Sequence, residues 1–378
     1  MNQKSLIVLG GVTAAAVVAA VIAVAARNAA TAPESAAAGP LVPGLADRIN
    51  QVTALTVAAG DKTVTISRPN PDSPQWTVAE KAGYPAALEQ VRRTVLALAE
   101  ARTVEPRTAK PEQYAKLGVD DAGATRLTLR TADGKELPGL LIGKAAQSGD
   151  LYARRAGEPQ SWLTDSRLAP PAADPMQWLD RPLPFVARDK VKSVSIARPG
   201  APLLTVGRKT ADQKDFTVTG LPKDAKPKQS AVNQQASAAE FLSFEDVTKL
   251  DPAAKPDPAA VVATVRAFDG EVLAIRISQR DGKPWATFAA SLEPGKTGDV
   301  EKTVKDIQTR YAGWSYRLPD YLAKDLTHSA DDLTEKAEAA PAAPPAAAPA
   351  AAAPPVPTAA PASTPTPAAK PAPPPVKR

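Results

Sequence analysis

Val52-Thr53-Ala54-Leu55-Thr56-Val57 and, 139 residues later, Val191-Lys192-Ser193-Val194-Ser195-Ile196 alternate apolar with small or polar side chains. That is the pattern of a half-buried strand. The likeness continues outward. After a one-residue insertion Gly60 matches Gly200, Ile66 matches Val206 and Arg68 matches Arg208. Trp76-Thr77-Val78 then matches Phe216-Thr217-Val218. Each stretch predicts three short strands and two turns.

A helix is expected next in each stretch. Leu88, Val91, Val95 and Leu98 share one face of a 3.6-residue period, with Pro85 suited to the first helical position. In the second stretch Val232, Ala236, Ala239 and Leu242 do the same, with Ser230 as the N-cap. A hairpin follows. Leu127-Thr128-Leu129 leads through Asp133-Gly134 to Leu137–Ile142, and Ala263-Thr264-Val265 leads through Asp269-Gly270 to Val272–Ile277. Asp-Gly marks a tight turn because glycine supplies positive φ. A further strand pair is expected at Leu151-Tyr152-Ala153 and Pro284-Trp285-Ala286.

Both stretches end on W-x-x-R, Leu-Pro and Ala-x-Asp: Trp178, Arg181, Leu183, Pro184, Ala187 and Asp189, then Trp314, Arg317, Leu318, Pro319, Ala323 and Asp325. The ordered matches predict an α+β protein of two tandem repeats, 52–190 and 191–326. Each repeat is a mainly antiparallel sheet with one principal helix. Equivalent places for Trp178 and Trp314 are the sharpest consequence of this alignment. The four residues Trp178, Arg181, Trp314 and Arg317 are candidate partner-binding positions, since Trp and Arg dominate binding hot spots. The competing reading is that they maintain the fold.

The two ends differ from the body. Residues 5–26 hold no charge between Lys4 and Arg27, and ten of these 22 residues are Leu, Ile or Val. At ~1.5 Å per residue they reach ~33 Å, enough for a hydrocarbon core of ~30 Å. Residues 1–28 are therefore read as a membrane anchor, or as a signal cleaved near Ala23-Val24-Ala25, with 29–51 as linker. Residues 341–378 contain 14 Pro and 15 Ala in 38 positions. Such a run lacks donors and bulk, so 327–378 is expected to be a disordered tail, and a spacer if it has a task.

Composition narrows the chemistry. The chain has 378 residues, a net charge of +6, no Cys and a single His, His328. Disulfides, thiolate sites and His-rich metal centres are excluded. The tail's Lys370, Lys377 and Arg378 supply half of the net charge, which leaves the body too even for a nucleic-acid surface. Gly139 to Lys144 resembles a phosphate loop, but it is one residue short between the glycines and Ala145 replaces the hydroxyl residue. No cofactor site is read from the sequence.

The order of features resembles a known family. An N-terminal apolar helix precedes W-x-V at Trp76-Thr77-Val78, an amphipathic helix, Tyr-x-x-Leu-Gly at Tyr114, Leu117 and Gly118, and a Asp133-Gly134 hairpin ending in Leu141-Ile142-Gly143. This looks like the bacterial domain of unknown function 4340 family, over about 45–327. Tyr-x-x-Leu-Gly has no counterpart in the second stretch. The resemblance implies a single-pass protein of the bacterial inner membrane with its body on the periplasmic side. It also implies an accessory role beside ABC-transporter permease or auxiliary subunits, acting by protein contact without catalysis. The alternatives are an envelope or cell-wall scaffold using the Pro-rich tail, and a carboxylate-dependent hydrolase.

Overall fold

A computed structural model of the chain describes residues 39–165 and 170–335. The uncharged segment 5–26 and the Ala/Pro-rich run 341–378 lie outside these residues. Among the described residues no helix is long and apolar enough to cross a membrane.

The architecture is mixed α/β with two antiparallel sheets and few helices. The first sheet contains β1 (Val52–Ala59), β2 (Lys62–Ser67), β3 (Thr77–Val78), β4 (Tyr84–Pro85), β5 (Thr103–Pro106), β6 (Thr125–Thr131), β7 (Leu140–Ala145), β8 (Leu151–Arg155) and β9 (Ser161–Thr164). The second contains β10 (Val191–Ala197), β11 (Leu204–Gly207), β12 (Thr217–Thr219), β13 (Asp246–Lys249), β14 (Val261–Ala267), β15 (Glu271–Arg280), β16 (Lys283–Leu292) and β17 (Trp314–Arg317). The spatial orders are β4-β3-β2-β1-β6-β7-β8-β9-β5 and β12-β11-β10-β14-β15-β16-β17-β13. Apart from β4, the two sheets follow one order strand for strand.

The likeness reaches into detail. β1 and β6 slip register between Val52 and Ala54, and β10 and β14 slip between Val191 and Ser193. The bulge changes which parity faces inward. That is why Val52, Ala54, Leu55 and Val57 are all buried in a strand whose alternation is otherwise regular. Arg68 donates from Nε to the Val52 carbonyl at 2.8 Å, and Arg208 from Nε to the Val191 carbonyl at 2.9 Å. Their remaining nitrogens hold further carbonyls, of Asn50 and Pro71 for Arg68 and of Asp189, Ala211 and Gln213 for Arg208. Each guanidinium also covers a ring, Trp76 at 4.9 Å and Phe216 at 4.8 Å. One arginine in each half thus pins the loop after its second strand.

The closing motif does not correspond. Trp314 opens β17, where it lies opposite Lys249 of β13. The strand in that place in the first sheet is β9, whose Trp162 lies opposite Pro106 of β5. Trp178 follows a 3₁₀ turn, Pro175–Gln177, beyond the sheet. Trp178 and Trp314 are therefore not equivalent, and the W-x-x-R match does not mark corresponding places in the two halves. Strand order repeats where that motif does not.

The helices are α1 (Leu88–Glu100), α2 (Pro111–Leu117), α3 (Gln229–Ser237), α4 (Asp299–Tyr311) and α5 (Asp320–Leu326). α1 buries Val91, Val95 and Leu98, the face its spacing defines. Pro85 is not its first residue but lies in β4, held by Ala86 N–H donating to the Trp76 carbonyl. α3 is capped at Lys228 rather than Ser230 and stops at Ser237, so Ala239 and Leu242 continue its apolar pattern outside the helix. Among the described residues α2 has no counterpart in the second half, and α4, inserted between β16 and β17, has none in the first.

Two boundaries shift. Of the linker 29–51, the described part packs: Leu41 and Leu45 are 0% exposed, and Leu41 N–H donates to the Ala101 carbonyl at 2.7 Å. At the other end 327–335 belongs to the body. Leu333 is fully buried and its carbonyl accepts from Lys228 N–H at 2.8 Å. Apolar Leu41, Val42, Leu45 and Leu333 have core positions to fill, which outweighs their place beside compositionally different segments. A single buried cluster runs through both halves, from Leu41 to Leu333.

Candidate functional site

The two halves meet along an aromatic seam. Tyr84 of β4 lies edge-on to Trp314 at 4.9 Å, to Phe244 at 6.1 Å and to Tyr316 at 6.1 Å. Phe288 and Tyr311 extend the group around Tyr316. Edge-to-face contacts of this kind add to the burial of large rings. Lys81 crosses between the halves to Asp246 at 2.6 Å. Only the folded chain brings these positions together, although aromatic residues are 4% of the sequence.

The segment after β9 ties the seam. Ala87 N–H donates to the Trp178 carbonyl at 2.7 Å, and Trp178 Nε1 donates to the Ala172 carbonyl at 2.8 Å. Arg181 donates to the Phe244 carbonyl at 2.7 Å with its guanidinium 4.6 Å above the Phe244 ring. Asp180 pairs with Arg310, and Tyr311 Oη donates to the Pro182 carbonyl at 3.0 Å. Arg317 lies 3.4 Å from Glu245. Three of the four sequence candidates, Arg181, Trp314 and Arg317, therefore gather at the seam. Trp178 stands behind it and is 1% exposed. Sequence reading missed Tyr84 and Phe244, which carry no periodic signal because each lies outside a helix or on a two-residue strand.

The seam's phenols keep their protons near neutrality. Burial is the main cause that pushes Tyr84 up to about 12, with Asp180 adding to it. Burial likewise pushes Tyr311 and, further, Tyr316 above the ordinary tyrosine value. His328 is also occupied. Its Nδ1 is 2.9 Å from Gln235 Oε1, its Nε2 is 3.9 Å from Asp325, and burial pushes it below the ordinary histidine value. The neighbouring Ser329 hydroxyl donates to Asp332. This arrangement lacks the nucleophile-to-imidazole contact that acyl transfer needs.

The stretch after Gly139 is strand β7 (Leu140–Ala145), which starts three residues later than the expected Leu137, and Lys144 Nζ reaches the carbonyls of Ala115 and Lys116 at 3.4 Å. The residues of Tyr-x-x-Leu-Gly and Leu-Ile-Gly meet there. Gly118 ends α2 at φ +71°, and a Cβ on Gly143 would stand 2.3 Å from the Leu117 carbonyl oxygen. Arg154 covers the Tyr114 ring at 4.4 Å and donates to the Val119 carbonyl at 3.1 Å. These motifs interlock α2 with β7 and β8 and form no ligand cradle.

Two adjoining hollows lie beside the seam. One, of about 900 Å³, is bounded by Trp76, Pro85, Trp314 and the α4 side chains Lys302, Lys305 and Arg310. The other, of about 340 Å³, lies between α1 and the chain before β1. They share Pro74, Trp76 and Leu88.

No curated protein and no solved structure matches the chain. Residues 76–260 match the family described as "Domain of unknown function (DUF4340)". The matched stretch begins at the Trp76 ring under Arg68, takes in the α2–β7 interlock and the segment of Trp178 and Arg181, and ends before β14. Over that stretch, just under half of its length, the chain is similar to the DUF4340 family.

Proposed function

We propose that the chain is a membrane-anchored, non-enzymatic accessory protein of an ABC-type transport system, its body on the periplasmic side, working by protein–protein contact. The observation that carries the contact reading is a pair of exposed phenylalanines on well-tied backbone. Phe185 is 61% exposed and Phe241 78%. They stand on two segments fastened together by Val186 N–H to the Ala239 carbonyl at 3.2 Å and by Arg181 to Phe244. Large rings held out to solvent on an ordered frame lose little entropy when a partner covers them. The 22 uncharged residues 5–26 support the anchoring, and the family resemblance supports the choice of partner. The common strand order and the matching Arg68 and Arg208 pins support descent of the two halves from one duplicated unit.

The test is co-expression with an ABC-type permease from the same genome, followed by affinity purification in detergent. The native chain should retain the permease. Phe185→Asp with Phe241→Asp should lower that recovery at least tenfold at an unchanged melting temperature. Equal recovery by the double variant removes the phenylalanine surface from the account. No recovery by the native chain removes the transport reading.

A further inference from the structure

The two hollows beside the seam adjoin along Pro74, Trp76 and Leu88, which line both, and the groove they outline has chemically different ends. The α1 end has an apolar wall of Ile49, Val91, Val95 and Leu96, with Leu96 49% exposed, and Arg68 and Arg92 stand at the same end. The other end runs under α4 and is cationic. Taken together the groove presents Arg68, Arg92, Lys302, Lys305 and Arg310 against the carboxylates of Asp180 and Asp306.

These charges are not equally available. Arg68 is committed to backbone carbonyls and the Trp76 ring. Arg310 is committed to Asp180, and Arg92 lies 3.4 Å from Glu89. Lys302 and Lys305, three apart on the exposed face of α4, have no ion pair among the described residues. Side chains at that spacing stand side by side on a helix. Each keeps its three donors for an outside acceptor.

We propose that this groove receives an extended acidic segment of a partner protein, an apolar side chain seated between α1 and the chain before β1 and carboxylates over Lys302 and Lys305. Both hollows are partly open to solvent, which lets a chain lie across them. Charge decides among possible chains. The protein's own Ala/Pro-rich run carries Lys370, Lys377 and Arg378 and no acid, so it is repelled where an acidic segment is attracted. The inference stands apart from the phenylalanine surface and from the transport reading, since it rests on the groove alone.

A random library of 12-residue peptides displayed on phage, panned against the full chain, tests it. Enriched sequences should be net negative and contain an apolar residue. Synthesised with a fluorophore, they should lose at least tenfold in affinity against Lys302→Glu with Lys305→Glu, and a similar factor against Leu96→Asp. All three positions are exposed, so melting should be unchanged. Raising salt from 50 to 500 mM should weaken the native complex. The proposal is overturned by no enrichment, by neutral or basic winners, or by affinity that survives the lysine reversal. It is equally overturned if a 341–378 peptide displaces the winners at matching concentration. Lysine-dependent binding to phosphatidylglycerol vesicles without peptide enrichment would make the groove a lipid contact instead.

Discussion

Gly143 shows how much of a family motif is packing. A Cβ there would lie 2.3 Å from the Leu117 carbonyl oxygen and 2.8 Å from Val119 Cγ1, so backbone itself would have to move. Gly139, just before the same strand, would place its Cβ 3.5 Å from Ala156 Cβ, an ordinary contact. Gly143→Ala should therefore cost about 2–4 kcal/mol and Gly139→Ala under about 1 kcal/mol, by the cost of overpacking a close approach. Urea denaturation of both variants checks this. Equal losses would mean that the approach of α2 to β7 is looser than the geometry implies. Arg68 and Arg208 teach a related lesson. Their equivalence is visible in the sequence as a shared offset, but nothing in the sequence says that each holds a loop by its carbonyls.

At the scale of elements, the segment from Trp178 to Val186 does the joining. It donates and accepts hydrogen bonds with the backbone on both sides of the seam, at Ala87 and Pro85 in the first half and at Phe244 and Ala239 in the second. Trp178 anchors it with an almost wholly buried ring. Trp178→Ala should cost about 3–5 kcal/mol, as for large-to-small changes in a core. Trp178→Phe keeps most of the ring and gives up the bond to Ala172, so about 1–2 kcal/mol is expected. Chemical denaturation monitored by circular dichroism distinguishes the two. A loss under about 1 kcal/mol for the alanine variant would show that the segment is not anchored there. α3 ends early for a connected reason. The chain beyond Ser237 leaves the helix so that Phe244 can reach the seam beside Arg181, although its apolar pattern continues.

On the scale of the whole molecule, two sheets with one strand order share a single core. Separating the halves would expose Tyr84, Phe244 and Tyr316, each at most 2% exposed in the intact body, and would break the Lys81–Asp246 pair. Fragments 39–190 and 191–335 should therefore fail to unfold cooperatively when made alone, in contrast to 39–335. Differential scanning calorimetry is the measurement. A fragment that melts cooperatively within a few degrees of the intact body would show two independent domains in contact.

Much was determined by the sequence itself. Alternation at Val52 and Val191, Asp-Gly turns at 133–134 and 269–270, and the spacing of Leu88 to Leu98 specify strands, hairpins and a helix, because each depends on neighbours a few residues apart. Tertiary structure alone decided the rest. It placed Trp314 in a strand and Trp178 outside one, though both head the same four-letter motif. It drew Leu41 and Leu333 into the core from segments whose composition suggested otherwise, and it opened the groove between α1 and α4. The physical reason is common to all three. A residue's burial and its partners are set by the surface that the remainder of the chain presents to it, and contacts many tens of residues apart leave no period or spacing in the sequence.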